Sequence, residues 1–255
     1  MLDSLIREAQ APLILLALTG AFLAGLARGF SGFGAGLIFM PIASAALGPR
    51  VAVASLLVFD FIVAGVPVIR NFAKTSILGL MPIAIGISIF IPLGGWVAAH
   101  GDPVTMRWCL SAVVFASLAM ITSGFKWRGT ETLPIAFALG ALSGFLGGMA
   151  ALSGIVIVIY WLARDMEPAQ LRANMFTLLA LTAVVSAATY TLNGMLTAHV
   201  FRVAVLMLVP YIAGTWIGSS VFHLASAQTF RRIVYVMIFV SGVIGLPLFD
   251  RFLGR

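Results

Sequence analysis

Apolar residues fill ten stretches of the chain, at approximately 11–27, 30–47, 51–69, 76–99, 104–124, 133–148, 151–163, 173–193, 200–222 and 233–249. Polar residues gather in the short connections: Gly48 to Arg50, Arg70 to Lys74, His100 to Pro103, Lys126 to Glu131, Arg164 to Pro168, and Ala227 to Arg232. Nearly uncharged runs of about 17 residues or more read as transmembrane helices, because about 20 residues of helix cross the hydrocarbon core. The pattern predicts an all-α integral membrane protein, one transmembrane domain over residues 1–255, with 8–10 transmembrane or re-entrant helices. Segments 133–148 and 151–163 are short for a span and are expected as half-helices or a re-entrant pair.

The segments repeat. Gly25-Leu-Ala-Arg28-Gly29-Phe30-Ser31-Gly32 aligns with Gly140-Ala-Leu-Ser143-Gly144-Phe145-Leu-Gly147 at an offset of 115. Pro49 to Leu56 aligns with Pro168 to Met175 at 119, and Gly94, Thr105 and Arg107 align with Gly218, Thr229 and Arg231 at 124. The growing offset is that of a diverged duplication, with repeat 1 at about 11–124 and repeat 2 at about 133–250. If an odd number of the five segments in each half cross, the halves are inverted, as in many secondary transporters. A duplicated, glycine-interrupted membrane segment also points to a transporter's binding site, where two half-helices aim their ends at a ligand.

Composition removes the other broad classes. Of 255 residues 62% are hydrophobic and only 9% charged, which no soluble domain sustains. The formal charge of +7 does not indicate nucleic acid, because the Lys and Arg residues lie mostly in loops where cytoplasmic faces and lipid headgroups are met. If all ten segments cross, nine basic residues fall on one side (Arg28, Arg70, Lys74, Lys126, Arg128, Arg164, Arg172, Arg231, Arg232) and six on the other, favouring the first as cytoplasmic. Trp96, Trp108, Trp127, Trp161 and Trp216 cluster toward segment ends, as an interfacial aromatic belt does. Met1 to Gln10 shows no clear cleavage site, so the first apolar run is read as a retained helix. The single cysteine, Cys109, excludes an intrachain disulfide and a Cys-built metal site, and His100, His199 and His223 are far apart at segment ends. No metalloprotease, nucleophile-elbow or phosphate-loop motif occurs. No cofactor and no metal are expected.

Four constellations carry candidate chemistry. The first is Arg28, Gly29, Ser31, Gly32, Gly34 and Gly36, ending at Pro41. Glycines at this density are poor helix formers, and N–H groups at the start of a half-helix make an anion site. Arg28 would add a charged fork and Ser31 a hydroxyl. The competing reading is that these glycines only allow close helix packing and Arg28 reaches an interface. The second is Gly147, Ser153 and Gly154, opening another half-helix toward the same cavity, with Ser143 in place of Arg28. The third is Arg172, Asn174 and Thr177, with Ser55 as the repeat partner of Asn174. Asn174 and Thr177, three apart, share a helix face and could line a polar path, while Arg172 could equally be a headgroup residue. The fourth is Asp60, the only acidic residue deep within an expected span. It would pair with Arg28, carry a coupling proton, or bind a coupling cation.

Residues 27–58, ARGFSGFGAGLIFMPIASAALGPRVAVASLLV, resemble the opening motif of the TauE/SafE family of membrane permeases, the sulfite exporter or four-toluene-sulfonate-uptake family, at Gly29, Gly32, Gly34, Gly36, Pro41, Ala52, Ala54 and Ser55. Residues 144–179 resemble the family's second copy at Gly144, Gly147, Ser153, Gly154, Arg172 and Ala173. The resemblance covers essentially the whole chain. It implies movement of small sulfur-containing anions such as sulfite, thiosulfate or sulfoacetate, and export by the family's name.

Together these readings predict a secondary transporter of a small oxyanion in a bacterial cytoplasmic (inner) membrane. Arg28 and the two glycine-rich starts form the site, one half moves against the other, and a substrate or proton gradient drives it. The alternatives are an anion channel, an uptake permease for another small organic acid, a membrane enzyme, which would need acid pairs or a nucleophile with its base, and a non-transporting subunit. Membrane lipids are expected partners, and the glycine-rich faces would support a homodimer.

Overall fold

The computed structural model describes residues 13–31, 34–71, 77–123, 132–163, 168–221 and 227–249. Among them are ten α-helices: α1 (Ile14–Ser31), α2 (Ala35–Leu47), α3 (Pro49–Asn71), α4 (Ile77–His100), α5 (Pro103–Thr122), α6 (Leu133–Ala150), α7 (Ser153–Ala163), α8 (Pro168–Leu192), α9 (Ala198–Val221) and α10 (Ala227–Gly245), followed by a 3-10 turn at Pro247–Phe249. The described residues contain no strand. Each apolar stretch of the sequence became one helix. Five are long and apolar enough to cross a membrane: Leu80–His100 within α4, α5, α6, Ala173–Leu192 within α8, and Ala198–Ser220 within α9. The protein is an all-helical, multi-pass integral membrane protein.

One expectation about length is corrected and one stands, since 151–163 forms a short helix as expected. Segment 133–148 extends to Ala150, and at 18 residues α6 is a full span. The short pieces are α2, with 13 residues, and α7, with 11. The glycine-rich run does not break the first segment where its composition predicts, because α1 stays helical through Arg28 and Gly29 to Ser31.

The reason lies in packing. The helices form two compact units, one drawn from residues 1–59, 101–118 and 195–255, the other from 60–100 and 119–194. In the first unit α1 crosses α9 at backbone contact. A Cβ on Gly25 would overlap the Tyr211 carbonyl and one on Gly29 the Thr215 carbonyl, while Gly214 and Gly218 of α9 lie against the carbonyls of Phe22 and Leu26. In the second unit α6 crosses α4 the same way: Gly140, Gly144 and Gly148 lie against the backbone of Ile83, Ile87 and Ile91, and Gly86 and Gly94 against Phe137 and Phe145. Small residues let backbones approach where lipid supplies no hydrophobic drive between helices. A helical glycine costs about 1 kcal/mol relative to alanine, and the close crossing offsets it. The two units do not follow the halves of the sequence. Each glycine crossing joins one helix from residues 11–124 to one from residues 133–250.

Large apolar side chains remain on the outside of these pairs, including Ile85, Ile89, Leu93 and Trp96 on α4 and Phe201, Val205, Val209, Ile212 and Trp216 on α9. Such a surface suits hydrocarbon. Trp161, expected in the aromatic belt, is instead a core residue, fully buried in α7. At the start of α5 the Asp102 carboxylate accepts hydrogen bonds of 2.7 Å from the Thr105 amide and hydroxyl, which hold it below the usual carboxylate range.

Candidate functional site

The first helix break follows α1. Arg28 stands in the last turn of α1 and is half-buried, where a cation complements the helix dipole. The side chain of Ser31 and the whole of Gly32 lie outside the described residues. Gly34 then sets the start of α2 with φ 87° and ψ 0°, a left-handed conformation that glycine adopts without strain. A Cβ there would meet nothing within 4 Å, so the requirement for glycine is conformational and not steric. Having no side chain, Gly34 supplies no cap to α2, and its carbonyl accepts from the Leu37 amide at 3.1 Å. From Ala35 and Gly36 through Ala46 every residue of α2 is buried. In the first unit α2 thus starts on a residue whose own side chain cannot cap it. Gly29, in contrast, is fully explained by the α1–α9 crossing.

The same unit holds α2 through a polar clip. Pro41 has no N–H, so the carbonyl of Leu37, four residues earlier, loses its helical donor. Ser241 on α10 donates to it, with Oγ 3.0 Å from Leu37 O and 2.8 Å from Ile238 O of its own helix. Nearby, Ser111 of α5 donates to Gly242 O at 3.0 Å, and a Cβ on Gly245 would crowd Pro41 and the Ser111 hydroxyl. Arg107 stands near the start of an apolar segment, where a loop or headgroup charge is expected. The structure buries it, donating from Nε to Gly245 O at 3.0 Å and from Nη2 to Leu246 O at 3.2 Å, so that it caps the C-terminus of α10.

The second break lies between α6 and α7 and is built differently. Ala151 adopts the left-handed conformation (φ 54°, ψ 32°) and donates to Gly147 O at 2.8 Å, while Leu152 donates to Leu146 O at 3.3 Å. The first is the 5→1 bond of the αL cap motif, and the second ties the following residue back to the same helix end. Gly147 is pressed against Ser153, whose Cβ lies 2.7 Å from where a Cβ on Gly147 would stand. Buried Ser143 donates to Ser153 O at 2.5 Å, and the hydroxyl of buried Tyr190, from α8, donates to Gly148 O at 2.7 Å.

Of the remaining candidates, Gly154 at the start of α7 faces Met175 and Leu179 of α8, with a Cβ there 3.1 Å from the Met175 methyl. This brings the α7 start beside the helix turn that carries Asn174 and Thr177. Asn174 is buried and its Oδ1 accepts from Gln170 Nε2 at 3.2 Å, while half-buried Thr177 donates to Ala173 O at 3.2 Å. Arg172 lies in the second turn of α8, and its side chain is outside the described residues. Ser55 is fully buried in α3 and donates to Ala52 O of its own helix at 3.0 Å. Asp60 is half-buried on α3. Among the described residues no group of His, Cys, Asp or Glu is placed to hold a metal ion.

Sequence reading passed over Ser241, Tyr190 and Arg107. For Ser241 a signal existed in Pro41, since an internal proline in a membrane helix always leaves a carbonyl that some donor must satisfy.

No curated protein and no solved structure matches the chain. The model of the family described as Sulfite exporter TauE/SafE matches residues 17–244, nearly the whole length. With two broken segments, several membrane-crossing helices and that match, the chain belongs to the TauE/SafE sulfite exporter family, a family of sulfur-anion transporters and not of enzymes.

Proposed function

We propose that the protein is a secondary transporter that exports a small sulfur oxyanion, sulfite or an organosulfonate such as sulfoacetate, across a bacterial cytoplasmic membrane, holding it at the start of α2. The observation that carries this reading is the start of α2, where half-buried Gly34 gives no side-chain cap and Ala35 and Gly36 are buried. A helix start concentrates backbone N–H donors and the positive end of the dipole, and a compact oxyanion offers several acceptors to them. Arg28 supplies a permanent positive charge and a planar fork of N–H donors suited to an oxyanion. Ser153 and Gly154 open the corresponding start in the second unit. With no nucleotide-binding motif in the sequence, a substrate or proton gradient drives transport, and Asp60 is the acidic group available for coupling.

The test is direct binding by purified protein of sulfite, thiosulfate, sulfate, sulfoacetate, taurine and acetate, in wild type and Arg28→Ala. Selective binding of a sulfur oxyanion, weakened at least about tenfold in the variant, supports the reading, a tenfold loss being about 1.4 kcal/mol. Binding that survives Arg28→Ala moves the site toward Arg172, Asn174 and α7. Liposomes that show no flux for any small sulfur anion overturn it, and concentrative movement separates a carrier from a channel. Asp60→Asn is expected to abolish pH-driven transport while leaving the fold intact; an unchanged pH dependence removes the proton role.

A further inference from the structure

We propose that Ser241 is a positioning residue for the α2 half-helix, standing in for the amide that Pro41 lacks. The inference rests on the anion reading for its functional half. Its structural half stands independently, on the bond between Ser241 Oγ and Leu37 O.

The chemistry is a matter of supply and demand at one carbonyl. In an unbroken helix the amide of residue 41 would satisfy Leu37 O. Pro41 removes that donor, inside a helix whose residues 35–46 are all buried. A buried carbonyl without a partner is costly, more so in hydrocarbon. The hydroxyl of Ser241, itself fully buried, lies 3.0 Å away. Its single proton has a second acceptor, Ile238 O at 2.8 Å on its own helix. Ser241 can therefore release α2 without being left unsatisfied, but Leu37 O cannot release Ser241 on the same terms. The asymmetry makes the bond a peg that fixes α2 along α10. Leu37 is only three residues past Gly34, so any slide of α2 on α10 moves the proposed anion site with it. Gly245, packed against Pro41 on the same face, keeps the two helices close enough for the bond.

This predicts a coupling that a merely bulky or space-filling serine would not show. Ser241→Ala strands Leu37 O, whereas Pro41→Ala restores its helical donor and makes the hydroxyl dispensable. The experiment is a double-mutant cycle over wild type, Ser241→Ala, Pro41→Ala and the double variant, with Ser241→Thr retaining the hydroxyl. Two readouts are taken on detergent-purified protein: the thermal unfolding midpoint without ligand, and equilibrium binding of sulfite and sulfoacetate.

Ser241→Ala is expected to lower the midpoint and weaken anion binding about tenfold when Pro41 is present, and to do neither when it is combined with Pro41→Ala. Ser241→Thr is expected to bind as wild type does. Should Ser241→Ala fail to fold while the double variant folds, the coupling is shown at the level of stability. Equal losses in both backgrounds, no loss in either, or failure of both variants to fold would each overturn the peg. A stability coupling without any binding of a sulfur oxyanion by wild type would sink the anion reading and leave the peg in place. A stability coupling with wild-type anion affinity in Ser241→Ala would overturn the positioning role.

Discussion

The two helix breaks begin from one glycine pattern and finish as different constructions. Gly25 and Gly29 in α1 match Gly140 and Gly144 in α6, and in both copies these glycines are consumed by a backbone-to-backbone crossing, with α9 and α4 respectively. The difference comes afterwards. The first break restarts at a bare, left-handed glycine that offers α2 no cap, and α2 is held further along by a serine from another helix. The second ends α6 with a closed cap on a left-handed alanine, and hydroxyls of Ser143 and Tyr190 tie down Ser153 O and Gly148 O. The same glycine spacing therefore accompanies the same kind of crossing, while the chemistry of the two ends differs. One end begins on a glycine with no side chain to cap it, while the other has its polar groups wired to the scaffold.

Substitutions at both breaks test that contrast, taken from the strongest effect down. Gly29→Leu and Gly144→Leu should damage the two copies alike, because each drives a side chain into facing backbone that cannot yield; loss of well above 3 kcal/mol, seen as no monodisperse protein in detergent, is expected for both. A tolerated leucine at either site would mean that the shared crossing is not tight in that copy. Tyr190→Phe leaves Gly148 O without its donor and should cost about 1–3 kcal/mol, read as a lower unfolding midpoint. Anion binding should suffer less from it than from Arg28→Ala; the reverse ranking would place the ligand at the second break. Gly34→Ala should cost about 1 kcal/mol through the left-handed backbone alone, since its Cβ meets no atom, and should weaken anion binding as well. Wild-type binding in Gly34→Ala would remove the bare start from the site. Ala151→Gly carries the opposite sign, relieving strain of about 1 kcal/mol and raising the midpoint without altering binding.

Hydropathy alone disclosed all ten helices of the described residues, because a bilayer leaves a chain few choices beyond satisfying its backbone within each segment. The break points were less legible. Helix propensity argues against helix at Arg28 and Gly29, yet α1 continues there because α9 rewards the missing side chains, and α9 lies in the other half of the sequence, beyond the reach of a local window. Of the candidate site, Gly34 and Gly36 ended at a helix start as their spacing predicts, and the Gly147 to Gly154 stretch came to lie beside the turn of α8 with Asn174 and Thr177. Arg107 misled in the other direction. Its place near a segment end reads as a loop charge, whereas its task is to cap a helix more than a hundred residues later. Donors that serve a distant carbonyl leave no mark in local sequence except, as at Pro41, the proline that creates the need.

The interleaving of the two halves also sets an order for how the protein can be made. When a ribosome has delivered α1 to α5, neither glycine crossing yet has both its members, since α1 waits for α9 and α4 waits for α6. The first half of the chain must therefore reside in the membrane with its glycine faces provisionally against lipid, and its assembly is completed last-to-first, α1 being settled only near the end of synthesis. Neither half of the chain holds both members of either glycine crossing, so neither is a self-standing module that truncation could spare.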